Sequence, residues 1–393
     1  MRLAHLADPH LGFRQYHRLT DRGRNQREMD VAMAFSRAID GIIAERPDAV
    51  IVAGDLFHAV RPTNSAILHA FREFTRLRAA LPDAPIVLIA GNHDTPRSSD
   101  TVSIFGLFNE LGLHIALDRA QRFAFPELDL SILAVPHQAL FEEPRPGLEP
   151  AGREKHQVLV LHGETPGLFG DDRSVADPGG AHLSDADLGQ GAWSYVALGH
   201  YHVQHEVRER VWYAGALEYV SPNPWGELHE ERRRHITAKG WLLADLDKGT
   251  VARRPIDPPR RVLDLPPLDG AELAAPELDR LLVDAVEKVP GGIGLAVVRQ
   301  VVRNVPRAVG RELDHERIRE WKAAALHFQL DLRRPEVPER SVGNAAPGKR
   351  QTLSEMLEDS LRKRPLPGGM DREAFVTEGI DFLATVEHGG GEG

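Results

Sequence analysis

The sequence predicts a layered α/β fold with a second sheet packed on the first, a small α/β cap and a helical tail. Three observations lead there. Short β-branched runs repeatedly close on glycine and a cluster of polar residues. Helix-length amphipathic stretches alternate with the first of those runs. A Pro-rich segment then separates the rest of the chain from them.

The first run, Arg2 to Ala7, leads into Asp8-Pro9-His10, and Asn25 to Arg46 reads as a helix. Ala49 to Ala53 is apolar throughout and leads to Gly54-Asp55-Leu56-Phe57-His58, and Asn64 to Ala80 is a second helix. Pro85 to Ala90 runs into Gly91-Asn92-His93-Asp94, Gln157 to Leu161 into His162-Gly163, and Tyr195 to Leu198 into Gly199-His200-Tyr201-His202. Continuous apolar runs of this length fit strands covered on both faces. Five strands thus deliver polar ends to one edge of the fold, where glycine lets the backbone turn without a Cβ clash.

Residues 203–247 read differently. His205 to Arg210, Val211 to Tyr219 and Gly240 to Leu246 are taken as consecutive strands, so the second sheet is expected to be the more antiparallel one. Arg254 to Pro267 reads as a linker. A helix over Ala275 to Val289, a strand over Leu295 to Val302 and a helix over Glu312 to Ala325 make a small α/β unit. Arg333 to Arg350 is again Pro- and Gly-bearing, and Thr352 to Lys363 and Arg372 to Val386 form two amphipathic helices. There are no internal repeats.

Composition narrows the function classes. The 393 residues are 42% hydrophobic, enough for a large core and more than one domain. Cysteine is absent, so a metal here is held by His, Asp, Glu or Asn and no disulfide framework exists. The start of the chain turns acidic too soon for a secretory leader and no apolar run reaches membrane-spanning length, so a cytoplasmic protein with no membrane contact is expected. With a net charge of -10, the chain as a whole is no electrostatic adhesive for nucleic acid, and DNA binding needs a local basic face or cations.

The polar strand ends carry the chemistry. Asp8 and His10, two apart, reach one site once the strand gives way to a loop. The carboxylate of Asp55 has two oxygens with which to bridge two cations, and Asn92, His162, His200 and His202 add neutral ligands. Such an O/N set suits manganese, iron or zinc. Two cations about 3.5–4 Å apart are a standard device for phosphoester cleavage.

As an ordered set, Asp8-x-His10, Gly54-Asp55-x-x-His58, Gly91-Asn92-His93-Asp94, His162-Gly163 and Gly199-His200-x-His202 resemble the calcineurin-like metallophosphoesterases. Within them, "HLADPHLG", "GDLFH" and "GHYH" are most similar to SbcD-type exonucleases, the prokaryotic branch of the double-strand-break repair nucleases. The resemblance spans roughly residues 1–220 and implies an α/β/β/α metallophosphoesterase sandwich. It divides the chain into a nuclease domain over 1–255, a cap or DNA-recognition domain over 262–335 and a partner-binding helical segment over 350–387.

Carried over residue by residue, the resemblance implies that Asp8, His10, Asp55 and His202 hold one divalent metal and Asp55, Asn92, His162 and His200 the other, with manganese expected. His93 then stabilises the transition state or protonates the leaving oxygen, Asp94 orients its ring, and His58 is a second histidine on the phosphate side. The implied reaction is hydrolysis of DNA phosphodiesters, by 3' to 5' exonuclease and endonuclease action on duplex ends, hairpins and single strands. Implied partners are a second copy of the chain, bound through helices of the nuclease domain, and a coiled-coil ABC ATPase of the SbcC type.

Two further readings stand beside this one: the same chemistry directed at a non-DNA phosphoester, and a non-catalytic scaffold, which has no reason to keep every ligand. His5 reads as a structural strand residue. The arginines at 14–27 read equally as phosphate contacts or as a solvated face, those at 299–311 as DNA-backbone contacts or, more readily, as simple solvation, and residues 164–192 as a substrate-facing loop or an insertion.

Overall fold

The computed structural model describes residues 1–95, 104–168, 179–335, 352–364, 366 and 371–389. They fall into two compact units, Met1–Arg334 and Pro335–Gly393. In chain order the first unit opens with β1 (Arg2–Leu6), α1 (Gln26–Glu45), β2 (Ala49–Ala53), α2 (Asn64–Ala80), β3 (Ile86–Ile89), the single turn α3 (Gly106–Asn109) and β4 (His114–Ala116). Then come β5 (Gln121–Phe125), β6 (Leu130–Ala134), β7 (His156–His162), β8 (Tyr195–Gly199), β9 (His205–Arg208) and β10 (Val211–Tyr213). After α4 (Pro224–Arg233) the chain returns through β11 (Gly240–Asp245) and β12 (Thr250–Pro255).

The long helices form where the sequence places them, and their ends have local causes. The Asn25 side chain accepts hydrogen bonds from the amides of Arg27 and Glu28, and Arg46 turns left-handed at φ 49°, so both residues cap α1 rather than belong to it. Thr63 caps α2 through the amide of Ala66. Each helix buries one stripe, Val31, Phe35, Ile39 and Ile42 on α1 and Ala70, Phe74 and Leu77 on α2.

The first sheet has the order β12-β11-β1-β2-β3-β4 and the second β5-β6-β7-β8-β10-β9. Between them lies a core of Leu3, Ile51, Val87 and Ile89 from one sheet and Ile132, Val158, Val160 and Ala197 from the other. The opposite faces of β1 to β3, with Leu6, Val50, Val52 and Leu88, pack on α1 and α2. The outer face of the second sheet is covered by the 3₁₀ turn His137–Phe141 and by residues such as Leu148, Leu183 and Trp193. Every central strand is therefore buried on both sides, which is why its sequence is a continuous apolar run.

Two expectations are corrected here. Gly240–Asp245 does not join the second sheet; β11 pairs antiparallel with β1 in the first, placing Leu242 and Ala244 in the inter-sheet core. The second sheet is also mainly parallel, since β6-β7, β7-β8 and β8-β10 all run together and only its two edges are antiparallel. It begins with β5 and β6, joined by a turn through Asp129 at φ 50°. That hairpin precedes the segment from which the sheet was inferred.

The segment Arg254 to Pro267, expected as a linker, is fastened down. Pro255 ends the edge strand β12, where a missing N–H is tolerated. Arg37 Nη1 donates to the Asp257 carbonyl at 2.6 Å, and Arg260 pairs with Asp30 at 2.7 Å. A third, smaller sheet follows, of β13 (Val262–Asp264), β14 (Leu268–Asp269), β15 (Val297–Arg303) and β16 (His327–Leu332), with α5 (Ala275–Glu287), α6 (Arg307–Glu312) and α7 (His315–Ala324). The helix expected near 312–325 forms as α7, beginning at His315 because the Asp314 carboxylate caps it through the amides of Glu316 and Arg317, and the short α6 precedes it. This cap-like unit docks on α4: Trp225 packs with Val297 and Leu326, its indole N–H donates to Gln329 at 3.2 Å, and Arg299 lies over its ring.

The second unit contains α8 (Leu353–Lys363) and α9 (Arg372–Gly389), which pair through Arg362 and Glu373 at 2.6 Å. Positions 350 and 351 of the expected partner-binding segment, and residues 365 and 367–370 between its helices, lie outside the described residues. Among the described residues no helix is long and apolar enough to cross a membrane.

Candidate metal centre

The ends of β1, β2, β7 and β8, with the turn after β3, bring all seven expected ligands together. Four hold backbones that L-residues rarely adopt: Asp8 (φ 51°), His10 (φ 46°), Asp55 (φ 50°) and His200 (φ 97°). Such left-handed turns aim side chains back over a strand end, at a cost of about 1–2 kcal/mol per residue, and they concentrate at functional sites. Close approach is also built in. A Cβ on Gly199 would lie 1.9 Å from the Ala53 carbonyl oxygen, and one on Gly91 2.1 Å from Asp55 Oδ1. Only glycine lets the strand ends meet there.

Two overlapping donor sets result. On one side His10 Nε2 lies 3.2 Å from His202 Nε2 and 3.7 Å from Asp55 Oδ2, and a carboxylate oxygen of Asp8 converges with the two histidines. On the other, Asn92 Oδ1 lies 2.9 Å from His162 Nε2 and 3.1 Å from His200 Nδ1, with Asp55 Oδ2 3.3 Å from His162 Nε2. Asp55 stands between the sets. All are buried except Asn92, which is partly exposed.

These residues fit divalent cations. Ligands each about 2.1 Å from a metal sit roughly 3.0–3.4 Å from one another in octahedral or tetrahedral arrangement, the range most of the contacts above occupy. Asp55 Oδ2 is fully buried and, among the described residues, accepts no hydrogen bond. A carboxylate oxygen so placed is costly unless a cation takes it.

The electrostatics of the metal-free protein agree. Burial opposes charge on Asp55, yet the surrounding histidines hold its carboxyl well below the usual range. Burial would also lower His162, but the Asp55 carboxylate beside it outweighs this and raises its imidazolium to about 9. Burial pushes Asp8 up as well. The cluster thus holds protons where cations would otherwise supply the positive charge.

Each ring is oriented from behind. His162 Nδ1 donates to the Ala53 carbonyl at 2.9 Å, and His10 Nδ1 meets His58 Nδ1 at 3.3 Å. His200 Nε2 faces the buried carboxylate of Glu164 at 3.4 Å. Sequence reasoning missed Glu164, although it directly follows His162-Gly163. The stretch taken as an excursion returns here: Glu164 bridges to His182, and Gly180 packs against the His200 ring. Residues 169–178 of that stretch lie outside the described residues.

His93 stands at the mouth of the first donor set. Its amide donates to Asp55 Oδ1 at 2.8 Å, its Nδ1 donates to the His58 carbonyl at 2.9 Å, and its ring stacks on His58 and meets His10 edge-on. The expectation that Asp94 orients this ring is corrected. The Asp94 carboxylate accepts from the amides of Leu56, Phe57 and Gly91, and so ties the turn after β3 to the turn after β2. Burial, followed by the charge of Asp55, raises Asp94 to about 7. The ring nitrogen of His93 is instead held by a carbonyl of the neighbouring turn.

Other residues singled out in the sequence are tied elsewhere. His5 is fully buried with Nδ1 3.0 Å from the Tyr195 hydroxyl, as a structural residue should be. Arg27 is buried against Asp30 and Glu218, Arg14 pairs with Glu28, Arg18 donates to the Ala323 carbonyl and Arg299 pairs with Asp264. These four are engaged with protein groups.

Comparison with known proteins adds a family and relatives. Residues 1–217 match the profile of the family described as calcineurin-like phosphoesterase. The DNA double-strand break repair protein Mre11 of Sulfurisphaera tokodaii is 34% identical over 206 residues, 51% of this chain and 49% of that one. That of Sulfolobus acidocaldarius is 30% identical over 252 residues, 63% and 60% of the two chains. That of Methanococcus maripaludis is 40% identical over 111 residues, 28% of each. The chain thus spans between 28% and 60% of the length of these relatives.

Proposed function

This chain belongs to the calcineurin-like phosphoesterase family, and we propose that within it the protein is a two-metal DNA nuclease, with 3' to 5' exonuclease and endonuclease action in double-strand-break repair. The observation that carries the reading is the pair of overlapping donor sets sharing Asp55. The names of the relatives direct it to DNA.

Asp8, His10, Asp55 and His202 would hold one cation, and Asp55, Asn92, His162 and His200 the other, with manganese the expected metal. When bound, the two ions activate water and offset negative charge on the phosphoryl group. The chain's own residues do the rest. Buried walls exclude bulk water from the donor sets and strengthen every charge interaction inside them. His93, fixed through Nδ1 by the His58 carbonyl, presents its other ring nitrogen to the phosphate, where it donates a proton to the leaving oxygen as the P–O bond breaks. His58 holds the ring of His10.

Two assemblies belong to the proposal. Met33 on α1 and Leu68 on α2 are exposed, which supports a homodimer through these helices. Phe382 on α9 is 71% exposed, which supports docking of the α8–α9 segment on the coiled coil of an SbcC-type ABC ATPase.

The decisive experiment is a Mn²⁺-dependent digestion of linear duplex, hairpin and single-stranded DNA beside a generic phosphodiester, with wild type and Asp55→Asn. DNA cleavage by wild type and its loss in the variant, with the fold retained, is the expected result. Turnover of the generic substrate alone redirects the site to a smaller phosphoester, and full activity in Asp55→Asn refutes the shared carboxylate.

A further inference from the structure

His202 is held from behind by a device that no spacing in the sequence reveals. Glu227, on the first turn of α4, directs Oε1 at His202 Nδ1 over 3.5 Å, and the same oxygen accepts the Ser221 amide at 2.9 Å. Its other oxygen takes Lys239 Nζ at 2.5 Å. An ammonium has three N–H donors, and Lys239 uses all three: on Glu227, on Glu231 at 3.0 Å and on the backbone carbonyl of His202 itself at 2.9 Å. Glu231 in turn accepts from the Tyr219 hydroxyl at 2.6 Å. Glu227, Lys239, Glu231 and His202 are all buried.

A buried Lys–Glu pair is poor evidence of a stability device, because taking two charges out of water offsets most of their attraction. Apolar residues of the same size would fill the space as well. What apolar residues would not do is fix His202 at two points. Lys239 pins its main chain, and Glu227 sets a carboxylate oxygen 3.5 Å from Nδ1, which favours the tautomer that carries its proton there. That leaves the lone pair on Nε2, the nitrogen 3.2 Å from His10 Nε2 in the donor set. Lys239 also neutralises Glu227, which makes a carboxylate tolerable at this depth.

We propose that Glu227, gripped by Lys239, is the positioning residue that sets the tautomer and aim of His202 and so governs cation affinity on the Asp8–His10–His202 side. The inference rests on the reading of that side as a cation site. Glu227 touches no reacting atom and acts only through His202.

The test titrates Mn²⁺ alone into the full chain by calorimetry, with metal-free unfolding temperatures measured in parallel, for wild type, Glu227→Met, Lys239→Met, the double variant and Glu227→Asp. Wild type binds two Mn²⁺. Glu227→Met binds one of them about 10- to 100-fold more weakly, the usual effect of losing a partner behind a ligating histidine, and the other unchanged. The double variant, which removes both charges, recovers unfolding temperature relative to the single variants but not the lost affinity, a split that a purely structural role does not produce. Glu227→Asp keeps the charge, folds, and shows the same loss because its carboxylate is drawn back from Nδ1. Two Mn²⁺ bound with wild-type affinity in Glu227→Asp, or recovered in the double variant, overturns the proposal. A wild-type chain that binds no Mn²⁺ refutes instead the metal reading beneath it.

Discussion

Raising the pH should strengthen cation binding at the His162 side by a calculable amount. In the metal-free protein Asp55 holds the His162 imidazolium to about 9, with Nε2 3.3 Å from the Asp55 carboxylate and 2.9 Å from Asn92 Oδ1. A cation needs that nitrogen without its proton. At pH 7.5 removing the proton costs about 2 kcal/mol, or roughly thirtyfold in affinity, since each pH unit below the pKa is worth about 1.4 kcal/mol. Affinity therefore climbs about tenfold per unit from pH 7 to 9 and levels above. Below about 7 the slope steepens, because Asp94 also carries a proton there that a nearby cation disfavours. The same shift has a stability consequence. A histidine raised in the folded state contributes stability that is fully present below its unfolded pKa of about 6.5 and is lost as the pH rises through about 9. The metal-free protein thus loses about 3 kcal/mol over that window, and the loaded protein does not. Calorimetric Mn²⁺ titrations at pH 7, 8 and 9, each in two buffers of different ionisation enthalpy, read both affinity and protons released. Affinity that varies less than twofold across the series, with no proton released at pH 7.5, would refute the Asp55–His162 pairing as the proton store.

Replacing His93 with Gln should leave both Mn²⁺ bound by calorimetry and reduce kcat on DNA by about 10²–10⁴, the usual contribution of a proton donor; a fall in metal stoichiometry would make His93 a ligand instead. His5 gives a signal away from the donor sets. Burial lowers it to about 3, so its contribution to stability is present above its unfolded pKa of about 6.5 and lost as the pH falls toward 3. His5→Asn, which keeps an acceptor for the Tyr195 hydroxyl, should flatten the acid limb of chemical denaturation by about 3 kcal/mol at pH 4.5 relative to pH 7, and parallel limbs in the two proteins would show that His5 is not what titrates.

How much of this was legible in the sequence depends on where the cause of each feature lies. Strand ends were readable because burial on both faces writes itself as a continuous apolar run, and because the glycine at Gly54, Gly91 and Gly199 marks where backbones approach. The expected ligands follow directly, since they sit within four residues of those runs. The second sheet was misread because β11 is as apolar as the strands around it, and only its antiparallel pairing with β1, across the whole first half of the chain, shows where it belongs. The role given to Asp94 failed for a related reason. The resemblance implied that Asp94 orients the ring of His93, but the turn points the carboxylate at three backbone amides instead. Glu164 and Glu227 were invisible as a class: a carboxylate behind a histidine ring is defined by a tertiary contact with no fixed spacing.

The same geometry explains why this edge of the fold, and not the other, carries the chemistry. Parallel strands all finish on one side, so β1, β2, β7 and β8 present their terminal residues to a common point. Bringing those residues inward forces left-handed turns at Asp8, His10, Asp55 and His200, and it gathers the carboxylates of Asp8, Asp55 and Asp94 with four histidines in a space closed to water. Both features destabilise the metal-free chain, by roughly 4–8 kcal/mol from the four turns alone on per-residue values. Such an arrangement persists only where the surrounding structure over-determines it, and here the buried walls of two sheets, the Asp94 clasp between turns and the carboxylates behind His200 and His202 do so. Divalent cations would supply the charge that the cluster lacks, and on the proposed reading the strain held in the strand ends would serve as preorganisation for phosphoryl transfer.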